Sequence, residues 1–463
     1  MLKRFIGTRD FYKTLLAVAI PVLIQNGITN FISLLDNVMI GRVGTEQMSG
    51  VSIVNQLLFV FNLCIFGALS GASLFGAQFY GKKDHNGVCY TFRFKLILSL
   101  ILCVLATLLL TFAGEPLIRL YLHEGSETGD LALTLHYAQK YLSVMLFGLL
   151  PYTLTQIYAS TLREIDHAIP PMLAGLVGVG VNLTFNYLLI FGQLGFPELG
   201  VEGAAIATVL ARVTECIIVI LWTHTHAQKC EFIKHAYRSL RIPRKLIRAI
   251  AVTGTPLLIN ETIWAAGQAM LLQCYSYRGI AVVSAMNISN TVFNTFSVVY
   301  LSIGTAISIL IGHRLGAEKK QEAMDDARKM IAFAGFLGLL VGIVIVAFSP
   351  LFPQLYNTTD EVRSLATAFS VTIGMIAPIN AILNSSYFTL RSGGKTVVTF
   401  FFDSGYVWGV NIPVSLLLIH LTPLPAEVVY ICCQATELIK CAIGIILVKR
   451  GSWLNNITTT NAG

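Results

Sequence analysis

The sequence predicts an all-α polytopic membrane protein, with twelve transmembrane helices arranged as two pseudo-symmetric six-helix bundles. Three observations carry this. First, only 12% of the 463 residues are charged and 55% are hydrophobic, with a mean hydropathy of +0.71. That charged share is about half of what a soluble domain carries. Second, twelve apolar runs are each long enough for a spanning helix, which needs about 20 residues. Third, the second half of the chain repeats the first: a shift of 235 residues aligns Pro21 through Gly81 with Pro256 through Gly316, and GVNLTFNYLLI (180–190) sits over GVNIPVSLLLI (409–419).

Taken in order, the first run (15–39) contains Pro21, then Gln25 and Asn26, and ends near Asp36. The second (51–79) is rich in small residues around Gly67 and Gly71, which favour close helix packing. The third (94–114) and fourth (138–161) are plainly apolar. The fifth (168–191) places Asn182 and Asn186 on one face, where polar groups in lipid must find partners. The sixth (200–224) carries Arg212 and Glu215. After a basic connector come the seventh run (249–276), with Pro256, Asn260, Glu261 and Trp264, and the apolar eighth, ninth and tenth (281–312, 331–352 and 364–389). The eleventh (396–420) holds Asp403 and Tyr406, and the twelfth (426–448) holds Glu437 and Lys440.

The connector (225–248) divides the chain into lobes at 1–225 and 226–463. The shift of 235 aligns Pro21 with Pro256, Gly44 with Gly279, Asn55 with Asn290 and Gly81 with Gly316. Six spans per copy give both halves the same orientation, so the symmetry axis is expected along the membrane normal, with a substrate site between the halves.

The net charge of +8 is a topology signal before it is a partner signal. With alternate loops assigned to opposite sides, 25 of the 32 Lys+Arg fall on the side of the N-terminus and 5, Arg42 among them, on the other. That asymmetry places both termini in the cytoplasm of a cell (plasma) membrane protein. The segment from Met1 to Lys13 reads as a mature cytosolic end. The nine cysteines have no metal-ligand spacing, and no metal site or cofactor is expected. No phosphate loop, HExxH or GxSxG is present, so the expectation is a gradient-driven carrier and not an enzyme.

A charge at the centre of a spanning helix costs about 2.5–3.5 kcal/mol on insertion scales. Arg212 with Glu215, and Glu437 with Lys440, stand three apart and can neutralise each other locally. Asp36, Glu261 and Asp403 have no such partner in their own spans. Each can therefore load a proton or an ion on one side and release it on the other. The plainer readings are a helix-end carboxylate in outer water for Asp36 and partners on other helices for Glu261 and Asp403. Pro21 and Pro256 bend their spans and are candidate hinges. Gln25, Asn26, Asn182, Asn186, Asn260, Trp264 and Tyr406 are candidate cavity residues, the aromatics as platforms for an organic cation.

At SLLDNVMIGRVG after Pro21, GASLFGAQFYGKKD, VNLTFNYLLI followed by LGVEGAAIAT, and GTAISILIGHRLGAEKK, the chain resembles the multidrug and toxic compound extrusion (MATE) family. The resemblance implies two six-helix bundles forming a V around a large cavity, and export of organic cations coupled to inward proton or sodium flow. Asp36, fifteen residues after Pro21, matches the first-span acid of the branch with an N-lobe proton site. Where that branch has a fifth-span acid, this chain has Asn186, while Asn182 matches a cavity asparagine. Glu261 lies about one helical turn before the seventh-span acid of the NorM-like branch, and Asp403 resembles the C-lobe acid only in region. Both an N-lobe and a C-lobe coupling site stay open.

The expected function is a cation-coupled antiporter that exports amphipathic cationic compounds by alternating access. Its expected partners are the bilayer, small organic cations and H+ or Na+, with no nucleic acid, and a monomeric state. One alternative is a lipid-linked oligosaccharide flippase, which the acidic character of the unpaired residues disfavours. The other is a major-facilitator-type carrier, whose basic Asp-Arg loop is replaced here by GKKDHNG.

Overall fold

The computed structural model describes residues 5–41, 43–122, 130–356 and 358–460. Arg42, counted above as an outer-side charge, lies outside the described residues, as do the first four residues of the N-terminal segment. Among the described residues the regular structure is helical, and twelve helical segments are long and apolar enough to cross a membrane. The sequence-predicted spans all recur.

In chain order the helices are α1 (Arg9–Gly41), α2 (Thr45–Gly81), α3 (His85–Arg119), α4 (Leu131–Met145), α5 (Leu149–Glu164), α6 (Ile169–Ile190) and α7 (Val201–Thr225). Then come the short α8 (Ile233–Ala236), α9 (Arg244–Ser276), α10 (Ile280–Gly316), α11 (Lys320–Phe348) and α12 (Asp360–Ser392). The chain closes with α13 (Thr396–Phe400), α14 (Ile412–Leu421), α15 (Ala426–Ala435), α16 (Glu437–Arg450) and α17 (Ile457–Thr460). A 3-10 turn at Leu146–Gly148 joins α4 to α5 within one span. α13 and α14 are joined by π-helical turns at Phe401–Gly405 and Val407–Asn411. Pro413, at the start of α14, has no N–H to give to the carbonyl four residues earlier, so regular α geometry is interrupted there.

The described chain separates into two compact units, one of residues 24–76 and 85–247, the other of residues 1–23, 77–84 and 248–463. The connector thus ends at a unit border, but two early segments group with the later residues.

In the unit of 24–76 and 85–247, α7 packs on α6, α5 and α4, and α3 packs on α5. The α6–α7 approach is close because Gly178 faces the Ala211 carbonyl and Gly203 faces the Leu189 backbone. Small residues let helix backbones come within van der Waals contact in lipid, where no hydrophobic drive separates helix from solvent. The outer face of α3 presents Leu105, Leu109 and Phe112, side chains that belong against acyl chains.

In the other unit α12 is central, packed by α10, α11, α15 and α16. Gly338 and Gly342 of α11 face Ala377, Ala381 and Gly374 of α12, a small-residue seam of the same kind. Its core joins Leu15, Val18 and Ala19 of α1 to Ile303, Ile307, Ala334, Leu383 and Trp453. The end of α2 belongs here too. Gly81 sits against the His313 backbone and Gly316 against the Gln78 backbone. Residues 78 and 313, like 81 and 316, are 235 apart, so the repeat read from the sequence appears here as a reciprocal contact.

Candidate functional site

Each unit holds its own buried polar cluster. In the unit of 24–76 and 85–247, the cluster forms where α1 meets α6. The Asn186 amide donates to Asp36 Oδ1 at 2.6 Å and to Asn182 Oδ1 at 3.0 Å. Asn182 donates in turn to Thr208 of α7 at 3.3 Å. The spacing of four between Asn182 and Asn186 puts both on one face of α6, which is why they form a ladder. Both asparagines are buried, so the plain helix-end reading of Asp36 does not describe its surroundings. Asn186 Oδ1 is buried and takes no hydrogen bond. Gln25 is buried on α1, with its stem near Gly175 of α6, and Glu215 Oε1 lies beside the same glycine. Asn26, also on α1, is partly buried.

The local pair expected between Arg212 and Glu215 is not formed: among the described residues neither enters an ion pair within 4 Å. The Arg212 guanidinium instead lies over the Tyr152 ring, 5.1 Å from its centroid, and its nearest polar contact is the Gly148 carbonyl at 3.5 Å. Three-residue spacing permits a pair but does not hold one when an aromatic face and a backbone carbonyl compete for the fork.

A buried charge pair that does form in this unit joins two residues at the edges of apolar runs. Lys95 of α3 bonds Glu164 of α5, with side chains 0% and 2% exposed, and Thr161 and Ser160 accept its remaining protons. Lys95, Arg93 and Arg391 all count as loop charges in the topology argument, yet all three are buried. Arg93 clamps the connector, donating to the carbonyls of Ala236 (2.9 Å), Arg241 (3.0 Å) and His235 (2.6 Å). Each of these residues lies at the edge of an apolar run, where hydropathy cannot separate a buried end from a wet one.

In the unit of 1–23, 77–84 and 248–463, the cluster joins α9, α12, α16 and the π-helical turns. Asp403, which has no partner in its own span, finds two on other helices, as its plainer reading expects: Lys440 Nζ at 3.0 Å from Oδ1 and the Asn260 amide at 3.1 Å from Oδ2. Asn260 also takes the Ser404 hydroxyl at 2.7 Å and reaches Tyr387 at 3.4 Å. Lys440 is therefore not neutralised chiefly within its own helix, since Glu437 Oε2 is farther away at 4.0 Å. Glu437 is held by Asn411 at 2.8 Å. Tyr406 is buried and its hydroxyl donates to the Thr436 carbonyl at 2.7 Å. Trp264 packs on the apolar core around Phe369 and Tyr430.

Glu261 sits at the middle of α9, partly buried. Its electrostatic neighbours are Arg391 and Asp403. Among the described residues it makes no hydrogen bond or ion pair. Pro21 and Pro256 both lie inside continuous helices.

Twelve helices long and apolar enough to span, an internal repeat and buried polar clusters within the spans are the architecture of a polytopic membrane transporter. A family model named MatE matches residues 21–188 and again 256–417. The two matches begin at Pro21 and Pro256, the residues that the internal repeat aligns. The chain belongs to the MATE family; it is a transporter and not an enzyme.

Among similar proteins, the probable multidrug resistance protein NorM of Halalkalibacterium halodurans is 25% identical over 437 residues, covering 94% of this chain and 93% of that protein. The multidrug resistance protein MdtK of Pectobacterium atrosepticum is 24% identical, covering 88% of this chain and 87% of that protein. Of solved structures, an outward-facing multidrug resistance MATE family transporter of the MOP superfamily superposes with a TM-score of 0.84 at 20% identity over 96% of both chains. A MOP superfamily transporter from Pyrococcus furiosus, described as having a binding pocket of reverse polarity, gives 0.86 at 19% identity over 98% of both. At these identities the structures show a shared fold.

Proposed function

We propose that this chain is a cation-coupled antiporter that exports amphipathic organic cations from the cell by alternating access. It lies in the cell membrane with both termini in the cytoplasm. The observation that carries the reading is Asp36, an acid in a spanning helix whose hydrogen-bond partner is the Asn186 amide at 2.6 Å. A carboxylate held by an amide keeps its charge available to an incoming proton or metal cation, whereas one held by a lysine is already neutralised. Asn186 Oδ1, unbonded beside it, is a ready acceptor for a protonated Asp36 or a ligand for a cation. Loading of Asp36 changes the hydrogen bonding between α1 and α6, and Pro21 allows α1 to bend in response. The names of the relatives, multidrug resistance proteins, support export of foreign compounds.

The test uses purified protein in proteoliposomes, with a cationic dye and imposed proton or sodium gradients. Asp36→Asn should fold and reach the membrane yet lose gradient-driven efflux, and Glu261→Gln should do the same if the other unit also couples. Efflux at wild-type rates in both variants would refute the assignment. The response to each gradient identifies the ion.

A further inference from the structure

We infer that Lys440 is an ion-selectivity residue, a tethered cation whose ammonium fills the place between Asp403 and Glu437 that a free metal cation would take. The cluster is built like a cation site that already has an occupant. Each carboxylate gives one oxygen to a fixed amide, Asp403 to Asn260 at 3.1 Å and Glu437 to Asn411 at 2.8 Å. The other oxygen of each turns to Lys440 Nζ, at 3.0 Å and 4.0 Å. The rings of Phe402 and Tyr406 face the same ammonium, 5.6 Å and 5.8 Å from their centroids. Two carboxylates and two aromatic faces around one buried amine leave no room for a second positive ion, and like charges in a low-dielectric site repel strongly.

Sodium prefers oxygen ligands, as other hard cations do. The oxygens are present here, but the ammonium covers them. The groups facing Lys440 are Asp403 and Tyr406 from the π-helical segment and Glu437 from its own helix. Around Asp403 and Glu261 stand Tyr387 and Arg391 of α12. Only Lys440 and Arg391 among these are cations, and Arg391 stacks on Tyr387 and Phe388. This cluster therefore excludes sodium. The link from there to transport rests on the antiporter reading, whereas the exclusion of sodium does not.

The experiment is binding of radiolabelled sodium to detergent-purified wild type, K440Q, K440R, K440Q/D403N and D403N, each first shown to be monodisperse. K440Q should bind sodium saturably and about tenfold or more above wild type, a coupling of ordinary size between competing ligands. K440R should stay at the wild-type level, and D403N should abolish the gain in K440Q. If K440Q does not fold, K440Q/E437Q, which keeps the net charge of the cluster, takes its place. Two results overturn the inference: sodium binding by wild type that D403N removes, or a folded K440Q with no gain. The same proteins in dye-loaded liposomes separate the two readings. Wild type that extrudes no dye under any gradient sinks the antiporter and leaves the sodium result standing.

Discussion

Gly316 of α10 lies so close to Gln78 of α2 that a Cβ at 316 would overlap the Gln78 carbonyl, and Gly81 meets His313 in the same way. The crossing is reciprocal and admits no side chain from either glycine. Gly316→Ala and Gly81→Ala should each destabilise by about 1–3 kcal/mol, the usual cost of overpacking. Gly180→Ala, where nothing lies within 4 Å, should be neutral or slightly stabilising. Thermal unfolding in detergent measures all three, and equal Tm values would refute the crossing.

The Lys95–Glu164 pair offers a different signature. Lys95→Met alone leaves a buried carboxylate without its cation and should cost about 3–5 kcal/mol. The double change to Lys95→Met and Glu164→Leu should recover most of that, because the desolvation cost of both charges goes with them. A double-mutant cycle in unfolding free energy reads the coupling. Additive losses would mean the two side chains do not depend on each other.

Arg93 holds the connector through three carbonyls on residues 235–241. Hydrogen bonds from a charged donor are worth about 1.5–3 kcal/mol each. Arg93→Gln should therefore free the segment, and limited trypsin should cut at Lys234 or Arg238 about tenfold faster than in wild type. Unchanged cleavage would show that the aromatic contacts of Phe92 with Phe232 and Tyr237 hold the segment unaided.

His167 lies between two spans, edge-on to Trp222 at 5.6 Å. Burial lowers its pKa below the ordinary 6.5; Asp166 opposes this, and Lys229 and His226 act with the burial. The folded protein therefore favours neutral imidazole. The stabilisation is complete above 6.5 and is lost as pH falls from there through the lowered folded value. The difference in Tm between wild type and His167→Gln should shrink or reverse on acidification across that window. A difference independent of pH would rule out the linkage.

Hydropathy makes the twelve spans legible because each needs only length and apolarity. The repeat is legible because Pro21, Gly81 and their counterparts keep one spacing. Asp36, Asn182 and Asn186 stand out because polar residues in lipid demand partners, and they turn out to be partners of one another. Pairing across helices is a different matter. Lys440 could choose Glu437 three residues away or Asp403 thirty-seven away, and only the π-helical turns that bring Asp403 forward decide it. Lys95 and Glu164 were hidden for a simpler reason, since each begins or ends an apolar run and looks like a loop charge.

The docking of Gln78 also sets a clock. Its side chain accepts from the Ile457 amide, 379 residues later, and donates to the Asn455 carbonyl. At about 5–20 residues per second, the interval between synthesis of these partners is roughly 20–75 s. Residues 24–76 and 85–247 can settle while translation continues, but the start of α1, through Leu15, Val18 and Ala19, and residues 77–84 must wait for the final turns of the chain. Nascent chains arrested before Trp453 should expose residue 78 to a thiol-labelling reagent placed there by Gln78→Cys, and release of full-length chain should hide it.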